Sequence, residues 1–332
     1  MDHFVAGAWR DRADPGLAVL DPSTGDVVAT VSQDAVPAEQ AFTYARARGA
    51  DLRHLTFQDR AAILKKVGSH LMEHKQELYD LSFATGATQR DAAVDVDGGI
   101  GTVLSFASRG RRELPDSNVW LDGPVEKLGV GFVGQHVLTP RHGVVLQVNA
   151  FNFPVWGMLE KLAPAFLAGM PTIVKPAPQT AFVTQACVRL MTDLLPEGAL
   201  QLLVGGTDGL LDHLTGQDAL AFTGSAATGR LLRAHPRVVG EAVRFTAEAD
   251  SLNGCVLGPD GDVDLFVREM VRELTSKTGQ KCTAIRRAFV PRSMLGDVAD
   301  ALHATLEGIT VGDPRDPGTR MGPVVRDRKS VV

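Results

Sequence analysis

Four side chains carry most of the chemical potential of this chain, and each has a bland reading beside a reactive one. Cys282 closes the run Gly279-Gln-Lys-Cys282 after a helical stretch. A lone cysteine there is commonly a small buried hydrophobe. The preceding glycine and Lys281 instead predict an exposed, electropositive setting that favours the thiolate. Glu248 lies in Thr246-Ala-Glu248-Ala-Asp-Ser251 at the end of a strand-like run, and alone it reads as a solvated or ion-paired carboxylate. Asn152, in Asn149-Ala-Phe-Asn152-Phe-Pro154, stands just past an apolar run, where asparagine commonly caps a helix. Lys175 ends another apolar run, at the strand edge where open α/β sheets bind ligands. Phe222-Thr-Gly224-Ser225 ends a third run and opens a helix, offering backbone N–H groups and a hydroxyl to a phosphate.

The elements that must position these groups follow from periodicity. Residues 37–114 read as mostly helical: Ile63, Val67, Leu71, Leu78 and Leu81 keep helical spacing over 62–83, and Thr56 with Asp59 suggests a capping box. Residues 115–141, rich in Gly, Val and Pro, predict a protruding β-ribbon. Gly129-Val-Gly131-Phe-Val-Gly134 within them fits GxGxxG, but no helix can follow through Pro140, so these are read as turn glycines. From His142 onward β and α alternate. Strands are expected at 144–148, 172–174, 200–203, 220–222, 243–246 and 255–257, with helices at about 154–169, 179–194, 207–214 and 225–235. A helix at 263–277, a strand at 288–291 and a helix at 294–306 follow. Such alternation with short turns predicts an α/β fold with a parallel, doubly wound sheet.

Taken together, the chemical segments resemble the aldehyde dehydrogenase superfamily in order and spacing. That family's asparagine and lysine stand 23 residues apart, as do Asn152 and Lys175. Its glutamate precedes its cysteine by 34 residues, as Glu248 precedes Cys282. Lys161, nine residues after Asn152, also fits, and Gly312-Asp-Pro-Arg-Asp-Pro-Gly-Thr-Arg-Met-Gly-Pro323 looks like the family's GDP…GP segment. The resemblance covers essentially residues 3–326. It implies a thiohemiacetal on Cys282, oxyanion donors from the Asn152 amide and the Cys282 N–H, hydride loss to nicotinamide, and Glu248 as general base for thioester hydrolysis. Lys161 joins that catalytic set, while Phe151, Lys175, Ala177, Gly224 and Ser225 are expected to hold the cofactor, with no metal. The implied organisation is a Rossmann-type cofactor domain (1–114 and 142–248), an oligomerisation β-ribbon (115–141) and the start of an α/β catalytic domain (249–326).

Two departures refine the resemblance. Relatives that prefer NAD commonly carry a glutamate after Lys-x-Ala, and Pro178 stands there. Without that carboxylate a 2′-phosphate meets no repulsion and Lys175 can pair with it, so NADP is expected to be preferred and NAD accepted. The usual Leu-Gly-Gly after the base glutamate is replaced by Ala249-Asp-Ser251. These departures, with Gly-Gln-Lys-Cys-Thr-Ala-Ile-Arg-Arg, look like the dehydrogenase domain of the bifunctional ring-opening proteins of phenylacetate degradation. The related semialdehyde dehydrogenases of benzoyl-CoA epoxidation are the close alternative. Both imply an acyl-CoA semialdehyde as substrate. A CoA-acylating reductase is disfavoured, because such enzymes typically lack the glutamate.

Composition sets outer limits. With 332 residues, 44% hydrophobic and 22% charged, the chain is an ordinary globular one, and its net charge of −5 shows no basic footprint for nucleic acid or a membrane surface. Apolar runs are too short to span a bilayer, and no signal peptide is read at the start. Cys187, Cys255 and Cys282 form no paired framework, which predicts a reducing, cytoplasmic setting without structural zinc. Complete family members are longer, and the later segments of the catalytic domain are missing here. An inactive fragment is therefore the second reading, and the intact protein is expected to be a homo-oligomer. Residues 327–332 back-translate into a sequencing-adapter sequence and are read as a non-native tail.

Overall fold

The computed structural model describes residues 1–10, 16–32 and 34–325, so the reading of 327–332 lies outside the described residues. Two short antiparallel pairs open the chain. β1 (His3–Val5) pairs with β2 (Ala8–Arg10), and β3 (Leu17–Leu20) with β4 (Val27–Val31). Runs of three to five residues are too brief to register as periodicity, and none of the four was expected.

Four helices follow: α1 (Ala38–His54), α2 (Phe57–Glu73), α3 (Lys75–Phe83) and α4 (Gln89–Glu113). α2 starts in a full capping box, with the Thr56 hydroxyl accepting from Asp59 N and the Asp59 carboxylate accepting from Thr56 N. The apolar run over 62–83 is divided at His74, whose amide still donates to His70 O while its backbone leaves the helical region. Leu71 and Leu78 stay on one buried side across the break, so spacing alone does not reveal it.

α4 buries Ala92, Val96, Ile100 and Val103 at three- and four-residue intervals against α2 and α5 (Trp156–Leu167). Burial of each aliphatic side chain contributes about 1.5–3 kcal/mol. The α4–α5 contact is close because of Gly98 and Gly99: a Cβ on Gly99 would stand 2.9 Å from Trp156 Cα. Between these helices in sequence, β5 (Trp120–Gly129) and β6 (Phe132–Leu138) form an exposed antiparallel hairpin. Gly131, at φ +80°, sits in its turn, which is where the GxGxxG stretch goes.

The main sheet is built from β7 (Val145–Val148), β8 (Thr172–Lys175), β9 (Leu200–Leu202), β10 (Ala219–Gly224) and β11 (Arg244–Ala249), all parallel. α6 (Ala181–Met191), α7 (Ala226–Arg233) and α8 (Pro236–Gly240) connect them, while 207–214 holds only a 3₁₀ turn at Leu210–His213 rather than the expected longer helix. The strand order is β11-β10-β7-β8-β9-β1-β2. β1 lies antiparallel to β9, so the sheet is mixed rather than purely parallel. Chain direction across the sheet reverses between β7 and β10, which leaves a crevice at their carboxyl ends. Alternation fills both faces: Val174 and Leu202 face the layer containing α2, α4, α5 and α6, while Ile173, Leu146 and Leu220 face the layer containing Phe42 of α1.

After β11 come β12 (Asn253–Val256), α9 (Val263–Thr275), β13 (Ile285–Phe289) and α10 (Leu295–Glu307). β12 and β13 pair in parallel over a separate apolar cluster of Leu257, Phe266, Met270, Val271, Ile285 and Val298. Among the described residues no helix is long and apolar enough to cross a membrane.

Asp21, buried beyond β3, takes the Arg315 guanidinium of the GDP segment and so ties the early hairpin to the end of the described chain. Burial raises this carboxyl, but Arg315 and the amides of Ser23 and Thr24 outweigh it, leaving it below the usual carboxylate range. A carboxyl lowered on folding adds stability above its unfolded value, and that stability is lost as pH falls through the folded value. Asp21→Asn is therefore expected to lower the denaturation midpoint at pH 7, with the gap to the unsubstituted protein closing below about pH 4. Urea titrations at several pH values read this directly.

Candidate functional site

The crevice is assembled from strand ends and the loops that leave them. Asn152 and Phe151 follow β7, Lys175 and Ala177 end or follow β8, Gly224 and Ser225 end β10, and Glu248 is near the end of β11. Cys282 comes from the turn between α9 and β13, near enough to Glu248 for that carboxylate to act on its thiol. The two groups thus meet across two units with separate apolar cores.

Lys281 does not do what the sequence suggested. Its ammonium pairs with Glu273 of α9 and is largely buried there, so it lends no positive field to Cys282. Burial pushes the Cys282 thiol above its ordinary value, and the Glu248 carboxylate adds to the rise. The N–H groups of Cys282 and Thr283 act in the opposite direction. Burial and Glu248 together favour the thiol over the thiolate.

Asn152 is not a helix cap either. The first amides of α5 are taken by Asp95 of α4, which accepts from Trp156 N at 2.8 Å and Val155 N at 3.3 Å. Relieved of that duty, Asn152 lines a small cleft with Phe151, Thr180, Lys277, Thr278 and Gln280, beside the turn that bears Cys282. Lys161, by contrast, is engaged within α5, donating to Glu160 Oε1 and to Gly157 O at 2.8 Å each.

Beneath the cleft lies a charged cluster that sequence reasoning passed over. Asp91 and Asp95 of α4 and Lys277 of the cysteine turn are all buried. Asp91 accepts from Lys277 N at 2.8 Å and from the Thr88 hydroxyl. The Lys277 ammonium stands 5.2 Å from the Phe153 ring centre. Burial holds the Asp95 carboxyl above its usual range against the pull of Lys277 and the α5 amides. Burial likewise lowers Lys277, against Asp95 and Asp91. Lys277 and Thr278 have φ of +52° and +55°, and Gly279 follows at +67°. Two successive left-handed non-glycine residues are a strained feature of the kind found at functional sites. The available signal was two aspartates four apart on an otherwise apolar face of α4.

The strand edge fits a dinucleotide. The Lys175 ammonium is buried at the carboxyl end of β8, where it donates to Pro176 O at 3.0 Å, and burial pushes its pKa down to about 8. No carboxylate pairs with it among the described residues, and Pro178 beside it is exposed. Thr223 Oγ1 is buried at the crevice without a partner. Ser225 caps α7, accepting from Thr228 N at 3.1 Å. Gly224 and Ser225 thus stand at the start of an eight-residue helix whose first amide is taken by the Asp250 carboxylate.

Two further polar residues bear on Cys282. The Ser251 hydroxyl and the Asn253 amide both donate to Cys282 O. Their neighbour Asp250 has φ +46° and accepts from Ala226 N at 3.0 Å.

Comparison with known proteins agrees with this architecture. Residues 9–330 match the aldehyde dehydrogenase family. A 3,4-dehydroadipyl-CoA semialdehyde dehydrogenase of Aromatoleum evansii is 45% identical over 336 residues, covering 98% of this chain and 65% of that protein. An N-succinylglutamate 5-semialdehyde dehydrogenase of Burkholderia multivorans is 31% identical, covering 98% of this chain and 66% of that protein. The crystal structure of a succinate-semialdehyde dehydrogenase from Burkholderia pseudomallei superposes with a TM-score of 0.85 at 26% identity, over 98% of this chain and 67% of that one. The chain thus spans about two thirds of the length of the curated relatives it matches.

The buried cluster makes a stability prediction. Removing one member of a buried, paired set of charges costs about 3–5 kcal/mol. Asp95→Ala is expected to lose that much in chemical denaturation, and Asp95→Asn clearly less, because its side-chain oxygen still accepts from Trp156 N.

Proposed function

Since this chain belongs to the aldehyde dehydrogenase family, we propose that the protein oxidises an aldehyde to a carboxylic acid, with NADP preferred over NAD as hydride acceptor. One observation carries the reading: a cysteine thiol and a glutamate carboxylate from different units face each other at the crevice of a doubly wound sheet.

The geometry supports a sequence of steps on the chain's own groups. Cys282 passes its proton to Glu248, which releases it to solvent before the later hydrolysis, and the thiolate adds to the aldehyde carbon. The Asn152 amide and the Cys282 N–H receive the developing oxyanion. A nicotinamide held at the carboxyl ends of β8 and β10 would supply the hydride acceptor for the oxidation. Glu248 then takes a proton from water, which attacks the resulting thioester and frees the acid and the thiol. Lys161 belongs to this set on the family resemblance, and its contacts in α5 favour a supporting role. Lys175, Ala177, Phe151, Gly224 and Ser225 would hold the cofactor, with the unpaired Lys175 and the absence of a carboxylate at Pro178 favouring the 2′-phosphate.

The relative from Aromatoleum evansii is named for a CoA-linked semialdehyde, and that supports the same substrate class here. The phenylacetate or benzoyl-CoA origin of that semialdehyde is a finer choice within the class. The exposed apolar side chains of the β5–β6 hairpin, among them Leu128, Val130 of its turn and Phe132, support a homo-oligomer assembled through residues 115–141. Residues 1–114 with 142–248 form the cofactor domain, 249–326 open the catalytic one, and the setting is cytoplasmic.

Assays on the full-length protein with a CoA-linked semialdehyde test the mechanism. Cys282→Ala should abolish oxidation while leaving NADP affinity unchanged; retention of full rate would overturn it. Glu248→Gln should lower steady-state turnover about 10²–10⁴-fold and leave a single burst of NADPH. Affinities for the two cofactors, measured by titration, should favour NADP, and tight NAD binding with negligible NADP binding would reverse the assignment.

A further inference from the structure

The tripeptide Ala249-Asp250-Ser251 lies in the connection from β11 to β12. Ala249 ends β11, Asp250 turns left-handed, and Ser251 and Asn253 lead into β12. This connection brings two side-chain donors onto one acceptor, the carbonyl oxygen of Cys282. Asn253 Nδ2 also donates to Ser251 Oγ at 3.1 Å and reaches Ala284 O at 3.5 Å, so the two donors are held to each other. Immediately beyond, Asn253 pairs with Ile285 at the start of the β12–β13 ladder. The clamp therefore sits where the reactive turn joins the sheet.

We propose that Ser251 and Asn253 are positioning residues for Cys282, fixing the Cys282–Thr283 peptide so that its N–H faces the sulfur. In a trans peptide the C=O and the following N–H point in opposite directions. Pinning Cys282 O on one side thus aims Thr283 N–H to the other, where it meets the thiol. Donors on a carbonyl also polarise its peptide group and strengthen the N–H as a donor in turn. The clamp consequently favours the thiolate against Glu248 and burial, which favour the thiol. The idea rests on the reading of Cys282 as the nucleophile.

Other charged groups near the turn are already occupied. Lys281 pairs with Glu273 of α9, Lys277 is buried with Asp91 and Asp95 of α4, and Arg286 and Arg287 of β13 donate to Gly279 O and Leu252 O. Asp250 is turned to the first amide of α7. Glu248 of β11 is the charge that faces the sulfur.

The test is the pH profile of iodoacetamide alkylation at Cys282 in the full-length protein, followed by peptide mass so that Cys187 and Cys255 are counted separately. Ser251→Ala deletes one atom and Asn253→Ala removes the second donor. Each is expected to shift the profile to higher pH and slow alkylation at pH 7 by about three- to tenfold, and Ser251→Thr to restore it. Circular dichroism identifies any variant that fails to fold; should Asn253→Ala do so, Ser251→Ala and its threonine rescue decide alone. A Ser251→Ala profile that superimposes on the unsubstituted one, with only a lower melting temperature, overturns the proposal. Turnover of Cys282→Ala is read in parallel. Retained oxidation there defeats the assigned function and leaves the alkylation result standing as a statement about the thiol.

Discussion

The Asp95 carboxylate is the interaction on which the crevice depends. It is buried, and it spends its oxygens on the first amides of α5 while facing the ammonium of Lys277. One side chain thereby fixes both the helix that begins after Asn152 and the turn that ends in Cys282. Gly98 and Gly99, just beyond it on α4, let α5 approach closely enough for those bonds to form. Without them the helix would stand off, and a carboxylate in that apolar layer would have neither amides nor cation to offset its desolvation.

Around this anchor the site holds strain and opposed charges rather than relaxed geometry. The left-handed residues Lys277, Thr278 and Asp250 lie on the two connections that carry Cys282 and Glu248. Such conformations cost on the order of 1–3 kcal/mol each and persist only where the surroundings impose them. Here Asp91 takes the Lys277 amide, Gly322 O takes the Thr278 hydroxyl, and Asp250 caps α7. Burial and Glu248 favour the thiol of Cys282, while the N–H groups of Cys282 and Thr283 act in the opposite direction.

Legibility in the sequence followed the range of the interactions. The alternation of β7 to β11 with their helices was readable because each strand is a short apolar run closed by turn residues. Glu248, Cys282, Asn152 and Lys175 were singled out because their spacing matched a known family pattern; Asn152, Lys175 and Glu248 lie at or just beyond strand ends, and Cys282 lies in the turn after α9. Asp95 was not, since its partners Val155 and Trp156 are remote in sequence and no local pattern marks an aspartate as a cap for another helix. Lys281 misled for the same reason: its charge was visible, but Glu273, which cancels it, faces it only in the fold. Ser251 stood out only as part of the tripeptide in place of Leu-Gly-Gly, and neither its contact with Cys282 O nor that of Asn253 is local enough for a sequence pattern to reveal. The break at His74 lacked any Gly or Pro, and β1 to β4 were too short for a period to emerge.

The pairing of β1 with β9 has a consequence for how the molecule is made. Phe4 meets Leu202, and Val204 N donates to His3 Nδ1, so the edge of the main sheet is completed by residues from near the start of the chain. On a ribosome adding about 5–20 residues per second, β1 emerges roughly 10–40 s before its partner exists. During that interval β1 has β2 on one side and nothing on the other, while the helices α1 to α4 can already fold behind it. Vectorial synthesis therefore gives this chain a helical shell before the join of β1 to β9, and it leaves β9 to a competing strand if the free side of β1 is occupied elsewhere.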